Sequence, residues 1–319
     1  MIEQRTYYVD NGDGWRLALH RRFVPGRVDP TRRPVVMVPG FAMNAHILGY
    51  HPRGRGIAEY IAEAGHEVWC VELRGQGHSV RGPTGDRRYR LADLGLVDLA
   101  AAIEGVRRHS GVRADRVDVI GCSLGATFMF MQAAWWPTHR IARMVNLGGP
   151  LRWTAVHPAL RALAQVPAAW GAVPVRGTRR MAKAVLPVAA RWPALLRVYL
   201  NPEICDLSRP EQLVATVDDP SPAVNAELAR WIRRGDLVIE RRNLTDDVAR
   251  LDLPLLTIVA TGDGIVPEAT AASAHDAMRA APRRLIHAGS EQRPMAHADL
   301  FISSMAEDAV FRPIVDWLR

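Results

Sequence analysis

The amino-acid sequence predicts an α/β fold in which a mostly parallel central sheet is flanked by helices. Short apolar runs bounded by glycine and proline alternate along the chain with longer segments of helical spacing, a pattern typical of consecutive strand–helix units. The alternation stops for about 100 residues after position 150 and then resumes. The sequence therefore predicts one α/β core that is interrupted by a helical block.

The first 150 residues supply six predicted strands. An antiparallel opening is predicted because residues 5–9 and 15–23 flank the turn Asn11-Gly12-Asp13-Gly14. The next four strands are short and rich in apolar residues, as strands buried on both faces are, and they cover residues 34–40, 67–73, 116–120 and 141–147. Apolar residues at helical spacing predict the intervening helices at residues 57–64, 91–109 and 126–136.

The second half of the chain has a different pattern. Residues 151–250 contain many prolines, alanines and arginines at helical spacing and no clear strand. Alternation then returns with a strand at residues 253–261, a helix at 268–280, a strand at 284–287 and an amphipathic helix at 307–318. We therefore predict a core of residues 1–150 and 251–319, with residues 151–250 inserted after the sixth strand.

The composition excludes several classes of protein. Hydrophobic residues make up 48% of the 319 residues and charged residues 23%, which is typical of a globular protein and argues against a disordered chain. No apolar run reaches the roughly 18 residues of a membrane-spanning helix, and no secretory signal is recognisable, so a cytoplasmic location is expected. Cys70, Cys122 and Cys205 are too scattered for a disulfide framework or a zinc site, and we expect no structural metal.

The positive charge of the chain does not by itself indicate a nucleic-acid partner. The net charge of +8 comes from 41 basic residues, of which Lys183 is the one lysine, against 33 acidic residues. Most arginines occur singly or in pairs, and no compact basic stripe carries interleaved aromatic residues. Nucleic-acid binding normally needs such a stripe, so we expect no nucleic-acid partner.

The residues Gly121-Cys122-Ser123-Leu124-Gly125 form a G-x-S-x-G motif between a predicted strand and a predicted helix. A sharp strand-to-helix turn projects the serine hydroxyl from the carboxyl edge of the sheet, and the two glycines leave room for chains that pass closely. The start of the helix directs free N–H groups toward the same point. Ser123 is therefore the predicted nucleophile.

A serine nucleophile needs a base, and the base needs an orienting acid. Asp263 lies in the loop after the strand predicted at residues 253–261, and His297 lies between the last strand and the last helix. Serine, then aspartate, then histidine is the chain order of a triad built on such a sheet. We predict Asp263 as the acid and His297 as the base, because His275 and His287 fall within a helix and a strand.

An acyl-transfer reaction also needs N–H donors for the oxyanion of its tetrahedral intermediate. The backbone N–H of Leu124 is the first expected donor, because it opens the helix after the nucleophile. The second is expected from the loop after the third strand, where Gly40 lets the chain turn beneath the substrate and the N–H of Phe41 follows it. Both donors are main-chain groups, so the side chains of Leu124 and Phe41 are not essential to this role.

These residues, together with three further motifs, make the sequence resemble the α/β-hydrolase family and its lipase and esterase branch. The motifs are Asp13-Gly14-Trp15, Val38-Pro39-Gly40-Phe41 and the segment from Glu72 to Ser79, which is similar to the family's D-x-R-G-x-G-x-S turn. The resemblance implies an α/β-hydrolase fold, a cap or lid at residues 151–250 and no cofactor. Two positions depart from the family pattern: Pro39 stands where histidine is usual, and Ala296 stands where glycine is usual.

The predicted cap has an unusual composition. Residues 151–200 contain eight basic residues and no acidic residue, together with Trp153, Trp170 and Trp192. Such a mixture suits peripheral contact with a lipid surface, or a cleft for an acyl substrate with an anionic part. The alternative is a helical cap whose arginines face water and whose tryptophans pack on the core.

The sequence thus predicts a serine hydrolase that cleaves a carboxylic ester, lipid-like or another small-molecule acyl ester, through an acyl-enzyme intermediate. Thioester hydrolysis, acyl transfer and carbon–carbon bond hydrolysis use the same triad and stay open, because the cap selects the substrate. A binding module without catalytic activity is the alternative from another class. The sequence does not indicate an oligomeric state.

Overall fold

The structure, a computed structural model, describes residues 1–167, 170, 177–189, 192 and 196–319. The other residues of the predicted cap lie outside the described part of the chain. None of the described helices combines the length and the apolar character that a bilayer-spanning segment needs.

The strands of the described residues form one large sheet and one small hairpin. The nine strands of the large sheet are β1 (Glu3–Asp10), β2 (Trp15–Phe23), β3 (Val35–Val38), β4 (Val68–Glu72), β5 (Val80–Arg81), β6 (Val117–Cys122), β7 (Ile141–Leu147), β10 (Leu255–Ala260) and β11 (Arg283–Ala288). The hairpin consists of β8 (Val238–Ile239) and β9 (Arg242–Asn243).

The large sheet is mostly parallel, which confirms the predicted fold class. Its strand order is β1-β2-β4-β3-β6-β7-β10-β11, with β5 paired to the beginning of β2. The pairs β1–β2 and β2–β4 are antiparallel, and every pair from β4 to β11 is parallel. The chain order reverses at β3, with β4 on one side and β6 on the other, and ligands bind α/β sheets at the carboxyl ends of strands beside such a point.

Helices cover both faces of this sheet. In the core they are α1 (His46–Gly49), α2 (Ile57–Glu63), α3 (Leu99–His109), α4 (Leu124–Trp135), α10 (Glu268–Ala271), α11 (Ser273–Ala277), α12 (Asp299–Ile302) and α13 (Arg312–Leu318). Within residues 151–250 the described helices are α5 (Pro158–Ala164), α6 (Thr178–Ala189), α7 (Pro210–Ala215), α8 (Pro222–Arg234) and α9 (Leu244–Val248).

The two faces of the sheet bury separate apolar clusters. In β3, Val36 and Val38 join one cluster with Phe128 of α4, whereas Val35 and Met37 join the other cluster. Successive side chains of a strand point to opposite faces. All four β3 side chains are fully buried, which explains why this strand is apolar throughout rather than alternating.

Several elements differ from the sequence prediction. The helix predicted at residues 91–109 contains a π-helical segment, Asp93–Asp98, before α3 begins. The helix predicted at residues 268–280 consists of the two short helices α10 and α11. The hairpin β8–β9 lies in a region where no clear strand is expected, and β5 is a two-residue strand in addition to the six predicted before the insertion. Two-residue strands are too short to produce a periodic pattern.

The inserted segment makes main-chain hydrogen bonds to the core around the carboxyl edge of the sheet. The N–H of Asn44 donates to Thr216 O at 3.0 Å, and the N–H of Asp218 donates to Ala42 O at 2.9 Å. These two bonds hold the loop after β3 against residues 216–218. Further along the same edge, the N–H of Gly264 donates to Val198 O at 3.1 Å.

Candidate active site

Ser123 lies at the turn between β6 and α4 in a strained backbone conformation. Its φ is +52° and its ψ is −125°, a region that residues with a side chain rarely adopt. The turn is tight because a side chain at Gly121 would collide with the backbone of Ala126, and one at Gly125 would lie 2.7 Å from Pro39 O. The G-x-S-x-G sequence therefore has both glycines where the backbones of neighbouring segments leave no space for Cβ.

Asp263 and His297 are in direct contact at the same edge of the sheet. His297 Nδ1 donates a hydrogen bond to Asp263 Oδ2 over 2.6 Å, and both side chains are buried. The other carboxylate oxygen of Asp263 accepts the backbone N–H groups of Ile265 and Val266, each at 2.8 Å. With both oxygens engaged, the carboxylate has one orientation, and it directs Nε2 of the imidazole away from Asp263.

Two glycines after β7 lie between Ser123 and the Asp263–His297 pair. A Cβ on Gly148 would lie 3.6 Å from His297 Cε1 and 3.7 Å from Asp263 Oδ2, whereas a Cβ on Gly149 would collide with Ser123 O. Ser123 and His297 therefore flank the same short segment. Among the hydrogen bonds of the described residues, none joins the Ser123 hydroxyl to His297. Nucleophile–base contacts are often long in ligand-free enzymes and shorten on substrate binding.

The environment of His297 favours its protonated form. Burial lowers the pKa of His297, but the charge of Asp263 and the hydrogen bond to it, with a smaller contribution from the charge of Asp299, outweigh burial and raise this pKa above its ordinary value of 6.5. A histidine with a raised pKa is a stronger base when neutral, which suits it to accept a proton from a hydroxyl.

The loop that carries His297 is held by Asp299, a residue that the sequence analysis does not single out. Asp299 Oδ2 accepts the N–H of Ala296 at 2.6 Å, and Oδ1 accepts the N–H of Asn201 at 3.0 Å and the thiol of Cys205 at 3.0 Å. Asp299 is fully buried. It thus joins the loop of His297 to residues 201–205 of the inserted segment.

The expected oxyanion donors lie beside Ser123. Gly40 packs so closely that a Cβ there would be 2.8 Å from Ser123 Cβ. Gln76 Nε2 donates to Gly40 O at 3.2 Å, and in a trans peptide the N–H of Phe41 then points in the opposite direction. Gln76 is a second residue that the sequence analysis does not assign, although it stands within the motif from Glu72 to Ser79.

A cavity of about 30 Å³ opens between the two expected donors and the inserted segment. Phe41 and Leu124 line it together with Phe128, and Asp218 lines the opposite side. Arg74 also lines the cavity, but its guanidinium is buried and forms ion pairs with Asp98 at 2.8 Å and Asp13 at 2.6 Å. Because both partners are carboxylates, Arg74 offers no net positive charge to a ligand.

Comparisons with known proteins agree with this fold. The family model for the alpha/beta hydrolase fold matches residues 33–290, and the chain belongs to this family. The match includes Ser123 and Asp263 and ends before His297. Because the chain belongs to this family, the comparison supports a hydrolase as its class of enzyme. No curated protein matches the sequence at a significant level.

Solved structures of similar fold have diverse activities. An esterase from Exiguobacterium antarcticum has a TM-score of 0.63 at 14% identity, covering 98% of this chain and 99% of that one. A 2-hydroxy-6-oxo-6-phenylhexa-2,4-dienoate hydrolase from Rhodococcus sp. strain RHA1 has a TM-score of 0.65 at 18% identity, covering 99% of each chain. A bromoperoxidase from Bacillus anthracis has a TM-score of 0.66 at 15% identity, covering 98% and 99%. At such identities these likenesses show the fold alone.

Proposed function

We propose that this α/β hydrolase cleaves a carboxylic ester with Ser123 as nucleophile, His297 as general base and Asp263 as the acid that orients His297. The observation that carries this proposal is the 2.6 Å contact between His297 and Asp263 beside the strained turn of Ser123. Serine is a weak nucleophile at neutral pH and gains reactivity from an adjacent base. A histidine paired with a buried carboxylate is such a base.

In the first half of the proposed reaction, Ser123 Oγ attacks the ester carbonyl carbon while its proton passes to His297 Nε2. The N–H groups of Phe41 and Leu124 stabilise the oxyanion that forms on the carbonyl oxygen. The intermediate then collapses, the bond to the alcohol oxygen breaks, and His297 gives its proton to the departing alcohol. Asp263 stabilises the imidazolium between these two transfers.

In the second half, water replaces the alcohol. His297 takes a proton from the water, whose oxygen attacks the acyl carbon of Ser123. The same two N–H groups hold the second oxyanion, and His297 returns the proton to Ser123 Oγ as the carboxylic acid leaves. The net reaction consumes one water for each ester cleaved. No cofactor takes part in either half.

The cavity beside Ser123 favours a short, uncharged acyl group. Its apolar lining from Phe41, Leu124 and Phe128 suits a hydrocarbon chain. Asp218 adds a negative charge to the lining, and the positive charge of Arg74 is neutralised by Asp98. A carboxylate on the substrate is therefore disfavoured. The cavity volume of about 30 Å³ leaves little space for a long chain.

The first experiment asks whether Ser123 is the nucleophile. A fluorophosphonate probe, which phosphonylates activated serines, is expected to label the wild-type chain and not Ser123→Ala. Ser290→Ala, which removes an exposed serine far along the sequence, is the matched control and is expected to be labelled fully. Ser123→Ala is expected to lower ester turnover by roughly 10⁴–10⁶-fold. An unlabelled wild-type chain would favour a binding module without catalytic activity.

The second experiment separates the reactions that share this triad. Rates for p-nitrophenyl acetate, butyrate, octanoate and hemisuccinate are compared with rates for acyl-thioesters and for a vinylogous diketone substrate of carbon–carbon hydrolases. We expect the uncharged short esters to be cleaved fastest. Faster cleavage of the thioester or the carbon–carbon substrate would replace the ester proposal while leaving the roles of the three residues in place.

Contact of the inserted segment with lipid is a separate part of this proposal. Leu163, Val166, Met181 and Trp192 are exposed apolar side chains of this segment, which also contains Lys183 and several arginines. Apolar and basic side chains together favour binding to anionic membranes. We expect the chain to cosediment with phosphatidylglycerol vesicles and not with phosphatidylcholine vesicles. If the chain cosediments no better with phosphatidylglycerol vesicles than with phosphatidylcholine vesicles, the basic side chains of the cap face water and do not bind anionic lipid.

A further inference from the structure

A cleft on the opposite side of the loop after β3 contains side chains that the proposed reaction does not use. Among the described residues, His20 of β2, Glu72 at the end of β4 and His78 of the following turn bring three potential metal-ligand atoms within 4.8 Å of one another. His20 Nε2 lies 3.1 Å from Glu72 Oε2, and His78 Nδ1 lies 3.2 Å from the same oxygen. We propose that these three side chains bind Zn²⁺ or a divalent ion of the same coordination chemistry.

The spacing of the ligand atoms fits a tetrahedral zinc ion. Zinc lies roughly 2.0–2.2 Å from imidazole nitrogen and carboxylate oxygen, so two ligands of a tetrahedral site are separated by roughly 3.4 Å. The two nitrogen–oxygen distances, 3.1 and 3.2 Å, are within a few tenths of an ångström of that value, and the two nitrogens lie within 4.8 Å of each other. The His78 side chain is 71% exposed, and its rotation supplies the remaining adjustment.

The carboxylate of Glu72 is held in place for this role. Its Oε1 accepts the N–H of Ala45 at 3.2 Å, and its Oε2 accepts the N–H of His78 at 2.6 Å. A side chain at Gly77 would collide with this carboxylate. The side chain of Glu72 is 2% exposed, so its charge is incompletely solvated and gains from a neighbouring cation.

A further hydrogen bond orients His20. Its Nδ1 lies 3.0 Å from Thr6 Oγ1, and when Nδ1–H donates to that hydroxyl, the lone pair of Nε2 faces Glu72. Metal-bound histidines usually have their second nitrogen hydrogen-bonded in this way. Without a cation, the other tautomer lets Nε2–H donate to Glu72 Oε2 at 3.1 Å, so binding of a cation requires the proton to be on Nδ1.

The surroundings of the cluster set the expected affinity and the coordination number. The open cleft of about 400 Å³ gives solvent access, so a water molecule completes the coordination at the fourth position. His46 lines the same cleft, and so do Arg22 and Arg179, whose positive charges oppose a cation. We therefore expect a dissociation constant on the order of micromolar rather than nanomolar.

This site departs from the expectation that the chain has no structural metal. That expectation rests on the spacing of the three cysteines, whereas His20 and His78 are far apart in the sequence and meet because β2 pairs with β4. The bound ion would tie β2 to the turn after β4. Through Glu72 and the N–H of Ala45, it would also tie both to the loop that carries Phe41.

The test measures zinc binding directly. The chain is treated with EDTA, dialysed and titrated with ZnCl₂ against a chromophoric zinc indicator. We expect one Zn²⁺ for each chain, and a visible absorption spectrum of tetrahedral type when Co²⁺ replaces zinc. His78→Gln changes an exposed side chain and is expected to weaken binding at least about 10-fold. MgCl₂ is not expected to compete, because Mg²⁺ prefers six oxygen ligands.

The matched control is His287→Gln. His287 is also a half-exposed histidine paired with a glutamate, Glu268, at 2.8 Å, but within the described part of the chain no second histidine joins that pair. Its loss is expected to leave zinc binding unchanged. Should the wild-type chain bind no zinc, or should His287→Gln weaken binding as much as His78→Gln, the proposal is wrong. Circular dichroism of each variant shows whether it has kept its fold.

Discussion

The hydrogen bond between His297 Nδ1 and Asp263 Oδ2 is 2.6 Å long, and the two side chains that form it are 4% and 1% exposed. Water therefore cannot replace either partner. The bond fixes the tautomer in which Nδ1 carries the proton and Nε2 has a free lone pair. A change in Asp263 should consequently affect the chemistry of His297 more than the stability of the fold.

Asp263→Asn is expected to lower kcat by about 10⁴-fold, because the amide can donate to Nδ1 and thereby favour the wrong tautomer of His297. The KM for a p-nitrophenyl ester is expected to change little. Asp252→Asn, which alters an exposed aspartate after the inserted segment, is the control and should retain full activity. Similar kcat values for the two variants would show that Asp263 does not orient the base.

The pH dependence of kcat/KM should reflect the raised pKa of His297. The reaction needs neutral His297, so activity falls as the pH drops through the pKa and the imidazole becomes protonated. We expect the midpoint of the acidic limb to lie above pH 6.5. A midpoint below pH 6.5 in the free enzyme would mean that burial outweighs the charge of Asp263.

Asp299 is expected to act as a positioning residue for His297. In Asp299→Asn, the amide nitrogen faces one of the N–H donors, Ala296 or Asn201, and that hydrogen bond is lost. A buried donor left without a partner costs about 1–3 kcal/mol, which urea unfolding can measure. The acidic limb should also move to lower pH, because the charge of Asp299 contributes to the raised pKa of His297. A purely structural role would leave that limb in place.

The turn of Ser123 should tolerate no side chain at Gly125. A Cβ there meets Val38 O and Pro39 O, which belong to the backbone and cannot rotate away. Gly125→Ala is expected to lower the free energy of unfolding by about 1–3 kcal/mol. Gly54→Ala places its Cβ 3.6 Å from His51 Nδ1, an ordinary contact, and is the control. Equal stability of the two variants would mean that β3 moves aside without cost.

Some of these relationships follow from the sequence because they depend on local patterns. Ser123, Asp263 and His297 each occupy a loop after a predicted strand, and the carboxyl ends of parallel strands meet at one edge. The predicted boundaries of β7 and of α3's last turn agree with the structure because strong apolar periodicity and a following polar turn define them.

Other relationships depend on contacts between distant segments, which no local pattern reveals. The bond from Gln76 to Gly40 joins two loops after neighbouring strands, and the bonds of Asp299 join the loop of His297 to the inserted segment. The spacing of apolar residues in the π-helical segment Asp93–Asp98 does not distinguish it from an α-helix. The last residue of this segment, Asp98, accepts a hydrogen bond from the buried guanidinium of Arg74. This contact becomes visible only when the fold brings the two residues together.

His66 gives a prediction about stability that does not depend on the proposed reaction. Burial, with smaller contributions from the charges of Arg32 and Arg143, lowers the pKa of His66 from 6.5 to about 4. Between these values the unfolded chain binds a proton that the folded chain does not. The stability is therefore fully present above pH 6.5 and is lost as the pH falls toward 4, by roughly 3 kcal/mol. His66→Gln should unfold in urea with a smaller loss between pH 6.5 and 4 than the wild-type chain, and equal losses would contradict this account.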